Sequence, residues 1–220
     1  MKRRVMGKLV AQLMAGCALL LVAALPAKAG TIAGSAHDFT GSSWSGGRIC
    51  VACHTPHKSD TSVTDAPLWS HNNTTQSYTL YASATMNATT GQPSGISKLC
   101  MSCHDGTVAV DSFGGVTGTT MISAVNKIGT SLADDHPIGF TYNTALATAD
   151  GSLHDPATKM ITIGSGSQIK SGTLNAVLLY NGKLECSSCH DVHNTFTVGT
   201  TGLLKVAQAG SQVCLACHNK

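Results

Sequence analysis

Cys186-Ser187-Ser188-Cys189-His190-Asp191-Val192-His193 carries two thiols three positions apart, a histidine directly after the second, and another histidine three residues on. The first five positions recur in kind at Cys50-Val51-Ala52-Cys53-His54, Cys100-Met101-Ser102-Cys103-His104 and Cys214-Leu215-Ala216-Cys217-His218. Of nine cysteines only Cys17 stands outside these pairs. C-x-x-C-H is the attachment signature of c-type haem. Two thiols at this spacing can add to the two vinyl groups on one porphyrin edge, and the next residue then reaches the iron. Zinc needs no histidine after every cysteine pair. A disulfide framework leaves four histidines unexplained. A thioredoxin-like motif needs a βαβ context that the Gly- and Thr-rich flanks lack. The expectation is four haem c. Their thioethers would form at Cys50, Cys53, Cys100, Cys103, Cys186, Cys189, Cys214 and Cys217, with His54, His104, His190 and His218 as proximal ligands.

Each iron has a second axial position. Six histidines remain, His37, His57, His71, His136, His154 and His193, against four methionines after the leader, Met86, Met101, Met121 and Met160. The surplus of histidine favours bis-His ligation and low potentials, since methionine would raise them. His57 follows His54 by three residues, and His193 follows His190 likewise. Residues i and i+3 of a helical turn lie on one side, with Cβ atoms about 5–6 Å apart. Axial ligands must approach a flat ring from opposite faces, so His57 and His193 should each serve a neighbouring haem. Pro137 keeps the chain at His136 extended and suited to presenting a side chain. His154 is read as solvated.

The chain opens with a basic segment (Lys2, Arg3, Arg4, Lys8), an apolar run from Leu9 to Leu25 and the small-x-small triplet Ala27-Lys28-Ala29. This is a signal peptide over 1–29, leaving one tetrahaem domain over 30–220. The run is short for a membrane span and ends in Pro26 and a cleavage site, so no membrane anchor is expected. A lipidated Cys17 is disfavoured because Ala18 to Leu25 prolong the apolar run. The precursor has 14 Lys and Arg against 11 Asp and Glu. Five of the cations lie in the leader, so the mature chain carries nine against eleven, a formal net of −2. No basic surface remains for nucleic acid or an anionic membrane. With 11% charged and 5% aromatic residues, little is available for a conventional core.

The expected fold is a multihaem cytochrome c: mostly irregular coil, short helices around the haem motifs, a few short strands, and haems as core. Met160 to Ile163 alternates weakly. Val177–Tyr180 and Lys183–Glu185 flank Asn181-Gly182, a strong hairpin signal. Gly114-Gly115 and Gly164-Ser165-Gly166 read as turns, and Val206 to His218 as a further helix.

The runs SAHDFTG (35–41), CVACHTPHKSD (50–60), APLWSHNNT (66–74), LCMSCHDGTVAVDS (99–112), DDHPIGF (134–140), LECSSCHDVHN (184–194) and VCLACHNK (213–220) resemble those of extracellular multihaem c-type cytochromes of metal-reducing bacteria, above all the tetrahaem members that polymerise into conductive filaments. Asn143 to Thr173 lies outside the resemblance. It implies a continuous haem stack, bis-His irons and one ligand supplied by the next subunit. His57, His71, His136 and His193 become intrachain candidates, and His37, on an N-terminal arm, the candidate for donation to a neighbour. The implied function is electron transfer in an extracellular filament, with identical subunits, other cytochromes or extracellular acceptors as partners. A soluble periplasmic shuttle is the alternative. A reductase needs an open iron, and the spare histidines suffice to close all four, so no enzyme is expected.

Overall fold

A computed structural model describes residues 31–64, 66–199 and 202–219; the leader over 1–29 lies outside them. Regular structure runs, in chain order, α1 (Gly95–His104), β1 (Phe140–Thr141), α2 (Thr144–Asp150), β2 (Met160–Ser165), β3 (Gln168–Thr173), α3 (Leu174–Val177), β4 (Lys183–Leu184), α4 (Cys186–Cys189) and α5 (Gln212–Leu215). Single 3₁₀ turns occur at Ser43–Ser45, Ala124–Asn126 and Ala209–Ser211. The rest is turn and coil, as the composition leads one to expect. No helix among the described residues is long and apolar enough to cross a membrane.

Three of the four C-x-x-C-H motifs sit on or at the end of a helix (α1, α4, α5). The first makes a single turn, with the His54 N–H on the Cys50 carbonyl at 2.8 Å. The buried face of α1 is formed by Ser97, Leu99, Met101 and Ser102. Two of these are small and polar. Ser102 Oγ donates to the Lys98 carbonyl at 2.8 Å and accepts the Thr74 N–H at 3.0 Å. Ser97 Oγ donates to the buried Glu185 carboxylate and accepts the Cys186 N–H at 3.1 Å. These contacts hold α1 against α4, so motifs two and three are joined directly.

The strands form two antiparallel pairs. β2 and β3 make a hairpin from Met160↔Thr173 to Ser165↔Gln168. β1 pairs with β4 through Phe140↔Leu184 and Thr141↔Lys183. Asn181-Gly182 turns as expected: both have positive φ (50° and 73°), and Tyr180 and Lys183 exchange backbone hydrogen bonds of 3.0 and 2.9 Å. Val177–Tyr180, however, is not a strand. Thr173 caps α3 by accepting the Ala176 N–H, so the chain reaches the turn from a helix, and β4 finds its partner in β1 instead. Gly164 is also no turn residue; β2 continues through it to Ser165. The helix over Val206–His218 is broken at Gly210 and Ser211, both left-handed.

The largest apolar cluster joins Phe140, Tyr142, Ala147, Ile163, Leu174, Val177, Leu178, Leu184 and Ala216. It lies mostly in the stretch between the second and third motifs. Two smaller clusters, Val63-Trp69-Leu99 and Tyr78-Met101-Leu132, support the first two motifs. The middle segment thus builds a side-chain core of its own. The front half has only the two smaller clusters.

Candidate haem-binding site

A shared clasp holds three of the four motifs. In the first, Ser70 N–H donates to the Cys53 carbonyl (2.9 Å), and Thr55 N–H to the Leu68 carbonyl (2.8 Å). In the third, Lys205 N–H donates to the Cys189 carbonyl (2.9 Å), and Asp191 N–H to the Leu203 carbonyl (2.8 Å). In the fourth, His154 N–H donates to the Cys217 carbonyl and Asn219 N–H to the Ser152 carbonyl, both at 2.8 Å. Leu68 and Leu203 occupy the same place in their clasps, and both have left-handed backbones (φ 53° and 52°). The sequence gives no warning of this repeat, because the clasping tripeptides, Leu68-Trp69-Ser70, Leu203-Leu204-Lys205 and Ser152-Leu153-His154, have no position alike in all three and the last lies upstream of its motif. It also gives His154 a place that solvent exposure does not: its backbone belongs to the clasp of motif four, and Tyr142 donates to its carbonyl at 2.6 Å.

The clasps orient imidazoles. His54 Nδ1 lies 2.8 Å from the Pro67 carbonyl, His104 Nδ1 2.8 Å from Asn126, and His190 Nδ1 2.5 Å from Gly202. A carbonyl only accepts, so each Nδ1 carries a proton and Nε2 is the nitrogen left to meet a metal. Such a second hydrogen bond fixes a ligating histidine's tautomer and raises its basicity. His136 Nδ1 is held in the same way by Pro137 at 2.9 Å.

Three of these rings face a second imidazole. His54 and His193 stand 6.1 Å apart between ring centres, His104 and His37 6.1 Å, and His218 and His136 6.4 Å. Two imidazoles on opposite sides of one iron, each nitrogen at roughly 2 Å, place their ring centres about 6 Å apart. Donor set and spacing both fit. Burial holds His37 neutral, lowering its pKa to about 4, with the neighbouring His104, His190 and His193 adding to the effect. Its Nδ1 is buried without a hydrogen-bond partner, the kind of polar atom that needs a ligand or water. Among the described residues no group of three or more His, Cys, Asp or Glu converges to hold a bare metal ion.

The remaining histidines are placed differently. His71 is buried, with Nδ1 2.8 Å from the Asn72 carbonyl, Nε2 3.0 Å from the Ala109 carbonyl, and Cys103 Sγ 3.5 Å from Nε2. Its ring nitrogens point at backbone rather than at a proximal ring. His57 and His190 are exposed, and among the described residues neither ring meets another imidazole. His37 sits beside a proximal histidine of its own chain.

The thiols locate the motifs relative to one another. Burial pushes Cys53 up to about 11, and Cys103 and Cys217 to about 12. The hydrogen bond to Cys186, followed by burial, raises Cys100. Cys53 also acts on Cys100 and Cys103, and Cys189 and Cys214 act on Cys217. Motifs two and three therefore touch through Cys100 and Cys186, and the thiols of motifs one and two, and of three and four, lie close enough to act on one another electrostatically. Large apolar side chains lie bare beside them: Val125, 89% exposed, and Ile128 flank Asn126, Leu68 follows Pro67, Val192 precedes His193, and Leu215 lies inside motif four. Exposed apolar surface of this kind needs a cover, and a macrocycle edge would supply one.

Residues 180–220 match the family of the doubled CXXCH motif. The match covers motifs three and four, and it indicates a multihaem c-type cytochrome with covalently bound haem c. The motifs suggest haem-binding electron transfer. No curated protein matches the chain.

Proposed function

We propose that the chain is an electron carrier with four haem c groups, one at each C-x-x-C-H motif, all of them bis-His. The observation that carries this reading is the trio of imidazole pairs, His54–His193, His104–His37 and His218–His136, at 6.1–6.4 Å. Each joins the histidine of a C-x-x-C-H motif to one from elsewhere in the sequence. When bound, haem supplies one-electron chemistry, cycling between Fe(III) and Fe(II). The chain's own residues hold imidazoles in place through Nδ1 and bring successive motifs close together. His193 ties motif three to motif one by serving His54 while His190 serves its own motif. No position is left for a substrate, so the reading assigns no catalysis.

Among the described residues His190 is the proximal histidine without a facing ring, and His57 is an exposed histidine without a facing ring. We therefore assign the trans ligand to His57 rather than His37: in a homopolymer His57 of one copy would complete the iron held by His190 of the next. Export through the 1–29 leader and an extracellular filament, passing electrons to other cytochromes or extracellular acceptors, complete the proposal.

The test begins with a haem count on the purified protein; any ratio other than four per chain overturns the stoichiometry. His37→Ala, His136→Ala and His193→Ala are then compared by electron paramagnetic resonance. Each should convert one haem from low spin to high spin. Variants that remain wholly low-spin would remove the corresponding pair.

A further inference from the structure

The two histidines three residues after a proximal ligand meet different fates. His193 faces His54, whereas among the described residues His57 faces no ring. The difference lies one residue after each proximal histidine. Asp191 Oδ1 accepts the His193 N–H at 3.1 Å, while its Oδ2 accepts the Thr195 and Phe196 N–H groups at 2.9 and 2.8 Å. Three donors converge on one carboxylate, and the charge makes each bond stronger than its neutral counterpart. The backbone adds a bond from the Asn194 N–H to the Asp191 carbonyl at 2.9 Å, with Asn194 left-handed at φ 54°. The loop is thus coiled around Asp191 and anchored by Phe196, which packs on the main apolar cluster. The corresponding residue of the first motif, Thr55, accepts only the His57 N–H, at 3.4 Å.

We propose that Asp191 is a positioning residue: its carboxylate folds residues 190–196 so that His193 is delivered to the iron held by His54. This rests on His193 being that iron's second ligand. Asp191 touches neither ring, so its effect must pass through the backbone of the loop. In its absence the His193, Thr195 and Phe196 N–H groups lose their acceptor, and only the Asn194 backbone bond and the Phe196 anchor remain to hold the coil.

The experiment uses the full-length, haem-loaded protein and three variants, Asp191→Ala, Asp191→Asn and His193→Ala. Spin state is read by electron paramagnetic resonance and by the high-spin charge-transfer absorbance, with and without added imidazole. His193→Ala should lose one low-spin haem per chain. Asp191→Ala should lose low-spin signal from that same haem, and millimolar imidazole should restore it. Asp191→Asn keeps one acceptor oxygen of the two and should fall between Asp191→Ala and the parent; it carries the test if Asp191→Ala fails to accumulate. A purely structural role would lower thermal stability without a spin change that imidazole reverses. If His193→Ala shows one high-spin haem while both Asp191 variants stay low-spin, the positioning role is overturned and the ligand assignment stands. If His193→Ala itself stays low-spin, the ligand assignment fails, and the positioning role with it.

Discussion

Asp105 follows His104 as Asp191 follows His190, yet the two carboxylates do different work. Asp105 is 1% exposed and accepts hydrogen bonds from Thr74 Oγ1 (2.5 Å), Tyr78 OH (2.8 Å), Thr107 N–H (2.7 Å) and Thr107 Oγ1 (2.8 Å). Burial is the largest single influence on its pKa and pushes it up; the bonds from Thr74, Thr107 and Tyr78 together outweigh it and leave the group below 3.8. A carboxyl depressed on folding stabilises the native state above its unfolded pKa, and that contribution is lost as pH falls through the lower folded value. Asp105→Asn should therefore cost about 2 kcal/mol at pH 7 through lost charge-assisted bonds, measured by urea unfolding followed by circular dichroism. The variant should also show a shallower loss of stability below pH 4. The sequence reads His-Asp at both motifs and cannot separate them. What separates them is Thr74 and Tyr78, brought in from about thirty residues upstream, and no local pattern records such a contact.

At the scale of elements, the legible parts were those fixed locally. The left-handed Asn181-Gly182 turn and the short helices at three motifs follow from a few adjacent residues. The misread parts were settled by long-range partners: β4 pairs with β1, some forty residues distant, instead of closing a hairpin, and two left-handed residues at 210 and 211 break what the sequence presents as one helix. Gly164 is instructive. It reads as a turn, but it sits inside β2 with φ 83°, and a Cβ there would strike the Gln168 carbonyl. Gly164→Ala should destabilise the hairpin by about 1–3 kcal/mol, seen as a lower midpoint in thermal unfolding. The joint between α1 and α4 is equally specific. Ser97→Ala would take one donor from the buried Glu185 carboxylate and the side-chain acceptor from the Cys186 N–H, a loss of about 1–3 kcal/mol. Because this joint holds motifs two and three together, its loss should also weaken magnetic coupling between their haems, which paramagnetic resonance of the oxidised protein would register.

At the scale of the molecule, the motifs were legible, because thiol and imidazole spacing is chemistry written along the chain; that His57 and His193 serve neighbouring haems belongs to the proposal. The imidazole pairing was not legible, since His37 and His104 are brought together across 67 positions, and His54 and His193 across 139, by the clasps and clusters. Among the described residues three of the motif histidines stand opposite another imidazole and His190 does not, and this inequality makes a prediction about assembly. If His57 of one copy completes the site at His190 of another, ligation and polymerisation are one event. The low-spin fraction at that site should then rise with protein concentration, as any ligand supplied in trans obeys mass action, while the other three sites stay low-spin at every dilution. His57→Ala should abolish the polymer, leaving particles of one chain mass plus haem in size exclusion and one high-spin haem per chain. Added imidazole should restore that haem's spin state without restoring the polymer, because a free ligand fills the iron but joins no subunits. A His57→Ala protein that still polymerises, or a parent chain that stays monomeric with every haem low-spin, would sink the assignment and return the protein to the class of soluble shuttles.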